Sequence, residues 1–168
     1  MYNSEEEMYP GVVAWLREAL AAEYGAKRSS VHDTHRVALW RFLEQENLAD
    51  AFPDSQTYEI QVDVTGLVRV GRNHWSLVLV ECKLREITLR DISQLLGYSR
   101  VAQPQAALIV SPDGASERMQ TLLTQFQRTD VLEYASGRKI VVATWDATRG
   151  QIDYASVLPR GEHLWKKV

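Results

Sequence analysis

The chain has 168 residues, 45% hydrophobic and 24% charged, which is ordinary globular composition and one domain's worth of length. A net charge of −3 argues against a protein that coats nucleic acid by bulk electrostatics, and one cysteine, Cys82, excludes an internal disulfide or a cysteine-cluster zinc site. No apolar run reaches transmembrane length and the opening MYNSEEEMYP is acidic, so no secretion signal is visible and a cytoplasmic protein with no membrane partner is expected.

In chain order, Tyr9 to Gly25 predicts a helix with Met8, Val12, Leu16, Ala19 and Leu20 on one stripe and Pro10 in its first turn. If that helix reaches back to Ser4 as cap, Glu5 lies on the stripe and Glu7 opposite it. The glutamates could equally be first-turn acids, or Ser4 and Glu7 a capping box. Lys27 to Ser30 is a polar break, and Thr34 to Asn47 predicts a second helix capped by Asp33 or Thr34, a helical insertion near 33–48. His32 and His35 lack cysteine partners and are expected to be surface or capping residues. Further on, a helix is expected over Leu89 to Val101, a buried strand over Ala106 to Ser111 and an amphipathic helix over Ala115 to Gln127. Two closing strands, Lys139 to Trp145 and Gln151 to Leu158, flank the turn Thr148-Arg149-Gly150.

The stretch from Tyr58 to Lys83 organises the rest. Tyr58, Ile60, Val62 and Val64 alternate with Glu59, Gln61, Asp63 and Thr65, which predicts a half-buried strand. Trp75 to Lys83 is apolar on both faces until Glu81 and Lys83, as suits a central strand whose end opens into a cleft. With Gly71-Arg72-Asn73 as a three-residue loop, Asn73 left-handed and position 70 opposite 74, Asp63 falls opposite Glu81. Two carboxylates so placed repel unless a cation lies between them, and with Lys83 beside them they suit metal-assisted phosphodiester hydrolysis. The alternative is a salt-bridged strand end facing solvent. Cys82 alternates into the core and is no nucleophile, and GxSxG, GxxxxGK[ST] and GxGxxG patterns are absent.

Asp63, a hairpin and then Glu81-Cys82-Lys83 resembles the D-x(n)-E-x-K motif of the PD-(D/E)XK nuclease superfamily. Gln94-Leu95-Leu96-Gly97-Tyr98 is similar to the Q-x-x-x-Y motif of its RecB-like branch, with Gln94 and Tyr98 on one helical face. The order of elements also resembles archaeal Holliday-junction-resolvase-like domains, over roughly Glu59 to Gly114. The resemblance implies a restriction-endonuclease-like α/β fold, a mixed sheet of four to six strands flanked by helices in one domain. It implies a Mg²⁺- or Mn²⁺-dependent nuclease acting on DNA rather than RNA, in repair, recombination or defence, with a homodimer left open. Asp63, Glu81 and the backbone carbonyl of Cys82 would hold the metal, and Lys83 would orient or activate water. Glu5, at the position where relatives carry a first-helix glutamate, would complete the site, and Gln94 and Tyr98 would position the backbone or Lys83. The rivals are a catalytically silent module of the same fold, binding nucleic acid or a protein, and a structural protein whose hairpin charges are incidental.

Overall fold

Runs that are apolar on both faces can be buried only in the middle of a covered sheet, and the chain has two of them. They form β3 (Trp75–Cys82) and β4 (Ala106–Ser111), parallel neighbours in a computed structural model that describes residues 2–165. The other strands of this six-stranded mixed sheet are β1 (Ser29–Asp33), β2 (Val64–Arg69), β7 (Val141–Asp146) and β8 (Gln151–Leu158), in the order β1-β2-β3-β4-β7-β8. A two-stranded ribbon, β5 (Glu133–Ala135) with β6 (Arg138–Lys139), stands apart. The protein is α/β, with helices on both faces of the sheet.

Alternation along the strands sorts the core into two layers. Val64, Val68, Val78, Val80, Cys82, Leu108 and Val110 meet α1 (Tyr9–Tyr24) through Met8, Val12, Leu16 and Leu20. Leu67, Leu77, Leu79, Ala107 and Ile109 meet α2 (Leu39–Gln45), α3 (Leu89–Ala102) and α4 (Glu117–Gln120), through residues such as Phe42, Leu95 and Met119. Thr88 and Asp91 close a capping box on α3, Gln103 ends it in the left-handed conformation, and α4 runs into a π-helical turn, Thr121–Gln125. No described helix is long and apolar enough to cross a membrane.

Gly66 sets how closely α1 packs. A Cβ there would lie 2.7 Å from Leu20 Cδ1 and 3.1 Å from Val78 Cβ. The leucine tip can swing away, but the valine Cβ is fixed to its strand. Gly66→Ala is therefore expected to cost about 1–3 kcal/mol, read as a lower urea midpoint; an unchanged midpoint would mean that α1 shifts without cost.

Four expectations are corrected. The break expected over Lys27 to Ser30 ends at Ser29, where edge strand β1 begins, antiparallel to β2 from Ser29 opposite Val68 to Asp33 opposite Val64. The second helix starts at Leu39, not Thr34, and neither Asp33 nor Thr34 caps it. Thr34 is held elsewhere: its amide donates to Asp63 O and its hydroxyl to Val62 O. The segment 58–62 pairs with no strand. Its carbonyls at Tyr58 and Ile60 accept from the Trp40 and Leu39 amides, two donors that a helix start otherwise leaves unmet. Its alternation is real, but Tyr58 and Val62 face the α2–α3 layer while Val64 faces α1, so the chain changes side at Asp63. Asn73 is not left-handed, since the hairpin closes through Val70 and Gly71 amides donating to His74 O.

Candidate metal and phosphodiester site

The β2–β3 ladder runs from Arg69 opposite Trp75 to Val64 opposite Val80, and one further step along that register sets Asp63 against Glu81. The strand ends diverge there, and the Asp63 carboxylate fills the gap. Its Oδ2 accepts from the Cys82 amide at 2.8 Å and its Oδ1 from the Tyr9 hydroxyl at 2.8 Å. Lys83 continues the chain by donating its amide to Val110 O at 2.8 Å.

Glu81 is only 4% exposed and lies on the face of β3 shared with Leu77 and Leu79. Lys83 Nζ approaches its Oε1 at 3.3 Å, while Oε2 is buried with no hydrogen-bond partner. Burial, then the Asp63 charge, push the Glu81 carboxyl up to about 7 against the opposing pull of Lys83. An ion pair at 3.3 Å would suggest a depressed value, but a carboxylate with one desolvated, unpaired oxygen cannot recover its hydration from a single ammonium. For Lys83, burial acts downward, yet Glu81, Glu5 and Asp63 together outweigh it and hold the ammonium above the usual lysine range.

Glu5 comes near Lys83 by a route other than the expected one. Residues Glu5–Glu7 form a separate 3₁₀ turn that starts at Ser4 without a side-chain capping bond, and α1 begins at Tyr9 with Pro10 in its first turn. Glu5 lines a cleft of about 630 Å³ with Tyr9, Lys83, Leu84, Arg85 and Asp91. Its carboxyl is raised by burial, partly offset by Lys83, with Asp63 adding to the rise. Glu6 also lines this cleft but pairs with Arg36 at 3.2 Å, and Glu7 accepts from the Asn3 amide at 2.8 Å. Glu5→Gln is thus expected to lower divalent-dependent turnover by at least about tenfold, and Glu7→Gln to leave it unchanged; equal losses in a steady-state assay would remove Glu5 from the site.

Gln94 and Tyr98 are not brought to this cleft. Gln94 Nε2 donates to Tyr98 Oη at 3.2 Å, and among the described residues neither side chain hydrogen-bonds Asp63, Glu81 or Lys83. Of the arginines near the motif in sequence, Arg85 lines the cleft, while Arg90 and Arg100 are exposed on α3 and outside its lining.

Two aromatic residues that sequence reasoning left out of the site support it. Tyr9 holds Asp63, and burial followed by the Asp63 charge raises its hydroxyl far above the usual phenol range, so it stays a donor. His35, expected at the surface, packs its ring on Tyr9 with centroids 4.8 Å apart and is bonded to Asp33 Oδ1. A tyrosine beside the apolar stripe in a first turn was the available signal, since a buried phenol needs a partner.

Among the described residues no three His, Cys, Asp or Glu side chains converge as a ready cage. The buried, unpartnered Oε2 of Glu81 is nonetheless the kind of atom a cation satisfies. Each Asp63 oxygen carries one hydrogen bond and keeps a second lone pair. Two carboxylates and a strand-end carbonyl suit Mg²⁺, which keeps several of its own waters. The Cys82 thiol takes no part, being fully buried on the opposite face, with its pKa raised by that burial. Compared with known proteins, the chain matches no family model, no curated protein and no solved structure.

Proposed function

We propose that this chain is a Mg²⁺- or Mn²⁺-dependent nuclease of the PD-(D/E)XK type, hydrolysing phosphodiester bonds of DNA. The observation that carries the reading is Glu81: a carboxylate 4% exposed, opposite Asp63 in register, with one oxygen orphaned and Lys83 at the other. Burying such a group without a partner costs several kcal/mol, which is hard to reconcile with an incidental strand end.

In this reading Asp63, Glu81 and the Cys82 carbonyl hold the cation, which when bound supplies charge neutralisation at the phosphate and an acidified water. Tyr9 and the Cys82 amide fix the Asp63 carboxylate, so its free lone pairs keep one orientation. Lys83 stays protonated and places a positive charge beside the cleft, against the negative charge that grows on the phosphoryl oxygens. Its raised pKa argues against a role as general base. Glu5, on the 3₁₀ turn that precedes α1, adds a second negative charge near Lys83. Gln94 and Tyr98 act, if at all, through α3 and not by touching these groups.

A second reading has one observation in its favour. Both Asp63 oxygens are already bonded within the protein, as they would be in a silent module of the same fold that binds nucleic acid or a protein partner. Titration with Mn²⁺ by calorimetry, beside a cleavage panel of single-stranded, duplex, flapped and junction DNA, separates the two. A nuclease binds Mn²⁺ through Glu81 and cuts at least one substrate. Loss of neither signal in Glu81→Gln would sink the site.

A further inference from the structure

At the far end of the same strands lies a second cavity that the phosphodiester reading does not use. It occupies about 660 Å³ between the end of α1, the β2–β3 hairpin, the α3–β4 turn and β6, in the size range of small-ligand sites. Along β3, Trp75 at this end is separated from Glu81 by about 20 Å at the usual rise per residue.

Three arginines line it, Arg28, Arg69 and Arg138. Two are held by backbone: Arg69 Nε donates to Arg72 O at 2.8 Å, and Arg138 Nη1 to Pro104 O at 3.1 Å. A guanidinium has five N–H donors, so these bonds orient the fork and leave donors to spare. Arg28 is exposed and adds a third charge at the rim. Glu23 and Asp54 also line the cavity, so its formal balance is three positive against two negative, suited to one small anion and not to a polyanionic strand.

The remaining walls ask for more than an anion. The Tyr24 hydroxyl is buried with no hydrogen-bond partner; burial and then the Glu23 charge hold it above the usual phenol range against the smaller opposing pull of Arg138, so it stays a donor. An orphaned buried hydroxyl costs about 1–3 kcal/mol, a penalty that an acceptor atom from a ligand removes. Trp75, partly exposed, and Tyr24 offer flat apolar surface beside the guanidinium groups.

We propose that this cavity binds a mononucleotide-sized aromatic phosphate, its phosphate on the arginines and its ring against Trp75 and Tyr24. The site is independent of the carboxylate cleft and holds whether or not that cleft cuts DNA. Calorimetric titration of the full chain with adenosine monophosphate, adenosine and inorganic phosphate tests it. The nucleotide should saturate one site and bind at least about tenfold tighter than either fragment, since charged and stacking contacts add. Arg28→Ala should weaken it about tenfold, the worth of one charged hydrogen bond. Tyr24→Phe should weaken it about threefold to tenfold without lowering the melting temperature, as removal of an unpaired hydroxyl predicts. Lys83→Ala should leave it unchanged. No saturable binding, phosphate bound as tightly as the nucleotide, or affinity lost in Lys83→Ala and kept in Arg28→Ala would each overturn the assignment.

Discussion

Asp63→Ala and Glu81→Gln are expected to abolish divalent-dependent cleavage alike while moving metal-free stability in opposite directions. Mutual repulsion alone would make removal of either carboxylate harmless to the apo fold. The hydrogen bonds break that symmetry. Asp63 accepts from the Tyr9 hydroxyl and from the amide of fully buried Cys82, so alanine orphans two donors at about 1–3 kcal/mol each, more than the relieved repulsion returns. Glu81 lies beside Lys83 and the Asp63 backbone yet keeps its carboxyl raised by burial, so a neutral amide is the easier group to bury. The pH dependence follows from the sign of its shift. A carboxyl raised to about 7 when folded favours the fold below its ordinary range, near 4.5, and that contribution fades as pH rises through about 7. The parent should therefore lose metal-free stability between about pH 4.5 and 7, and Glu81→Gln should flatten that slope and be the more stable protein at pH 8. Urea unfolding in chelator at pH 5 and pH 8 measures both. If Glu81→Gln is the less stable variant at pH 8, its carboxylate is a structural ion-pair partner of Lys83 and the metal assignment fails. Mn²⁺ should raise the midpoint of the parent and of neither variant, because only a cation bound to the folded state stabilises it.

What the sequence carried and what it concealed differ residue by residue. The burial of β3 on both faces was legible because Leu77, Val78, Leu79 and Val80 leave no polar face to turn outward, and the hairpin register followed from loop length. Edge strand β1 was not legible, since only Val31 among its five residues is buried and its backbone pairing leaves no apolar alternation to read. The segment 58–62 misled for the converse reason. It alternates because it packs on the α2 side, yet it spends its carbonyls on the start of α2 and joins no strand. Of the expected site residues, Asp63, Glu81, Lys83 and Glu5 are gathered at one strand end, whereas Gln94 and Tyr98 are bonded to each other on α3. The motif spacing could place a glutamine and a tyrosine on one helical face but could not say which way that face points. Tyr9 was missed because, beside the apolar stripe, it read as packing, and only the Asp63 bond shows its hydroxyl at work.

Lys83→Ala should lose about 10²–10³ in turnover, the usual cost of one preorganised donor at developing charge, while keeping Mn²⁺ affinity at alkaline pH. An ammonium cannot ligate a cation, so its removal takes no bond from the metal. It does act on the metal indirectly, through Glu81. Lys83 is one of the groups that lower the Glu81 carboxyl, and without it that carboxyl rises further and holds its proton more tightly. Near neutral pH a cation must then displace that proton, so apparent Mn²⁺ affinity in Lys83→Ala falls below the parent's. Above the raised value the competition ends and the two proteins should bind Mn²⁺ within a few-fold of each other. Calorimetry at pH 7 and pH 8.5, paired with single-turnover cleavage at both, resolves the two effects. Lys83→Arg should recover part of the turnover, since it restores the positive charge with a different reach. A Mn²⁺ affinity that stays low at pH 8.5 would mean that Lys83 holds the Glu81 carboxylate in place through its 3.3 Å contact, and that the lysine is a positioning residue for the metal site and not a partner of the phosphate.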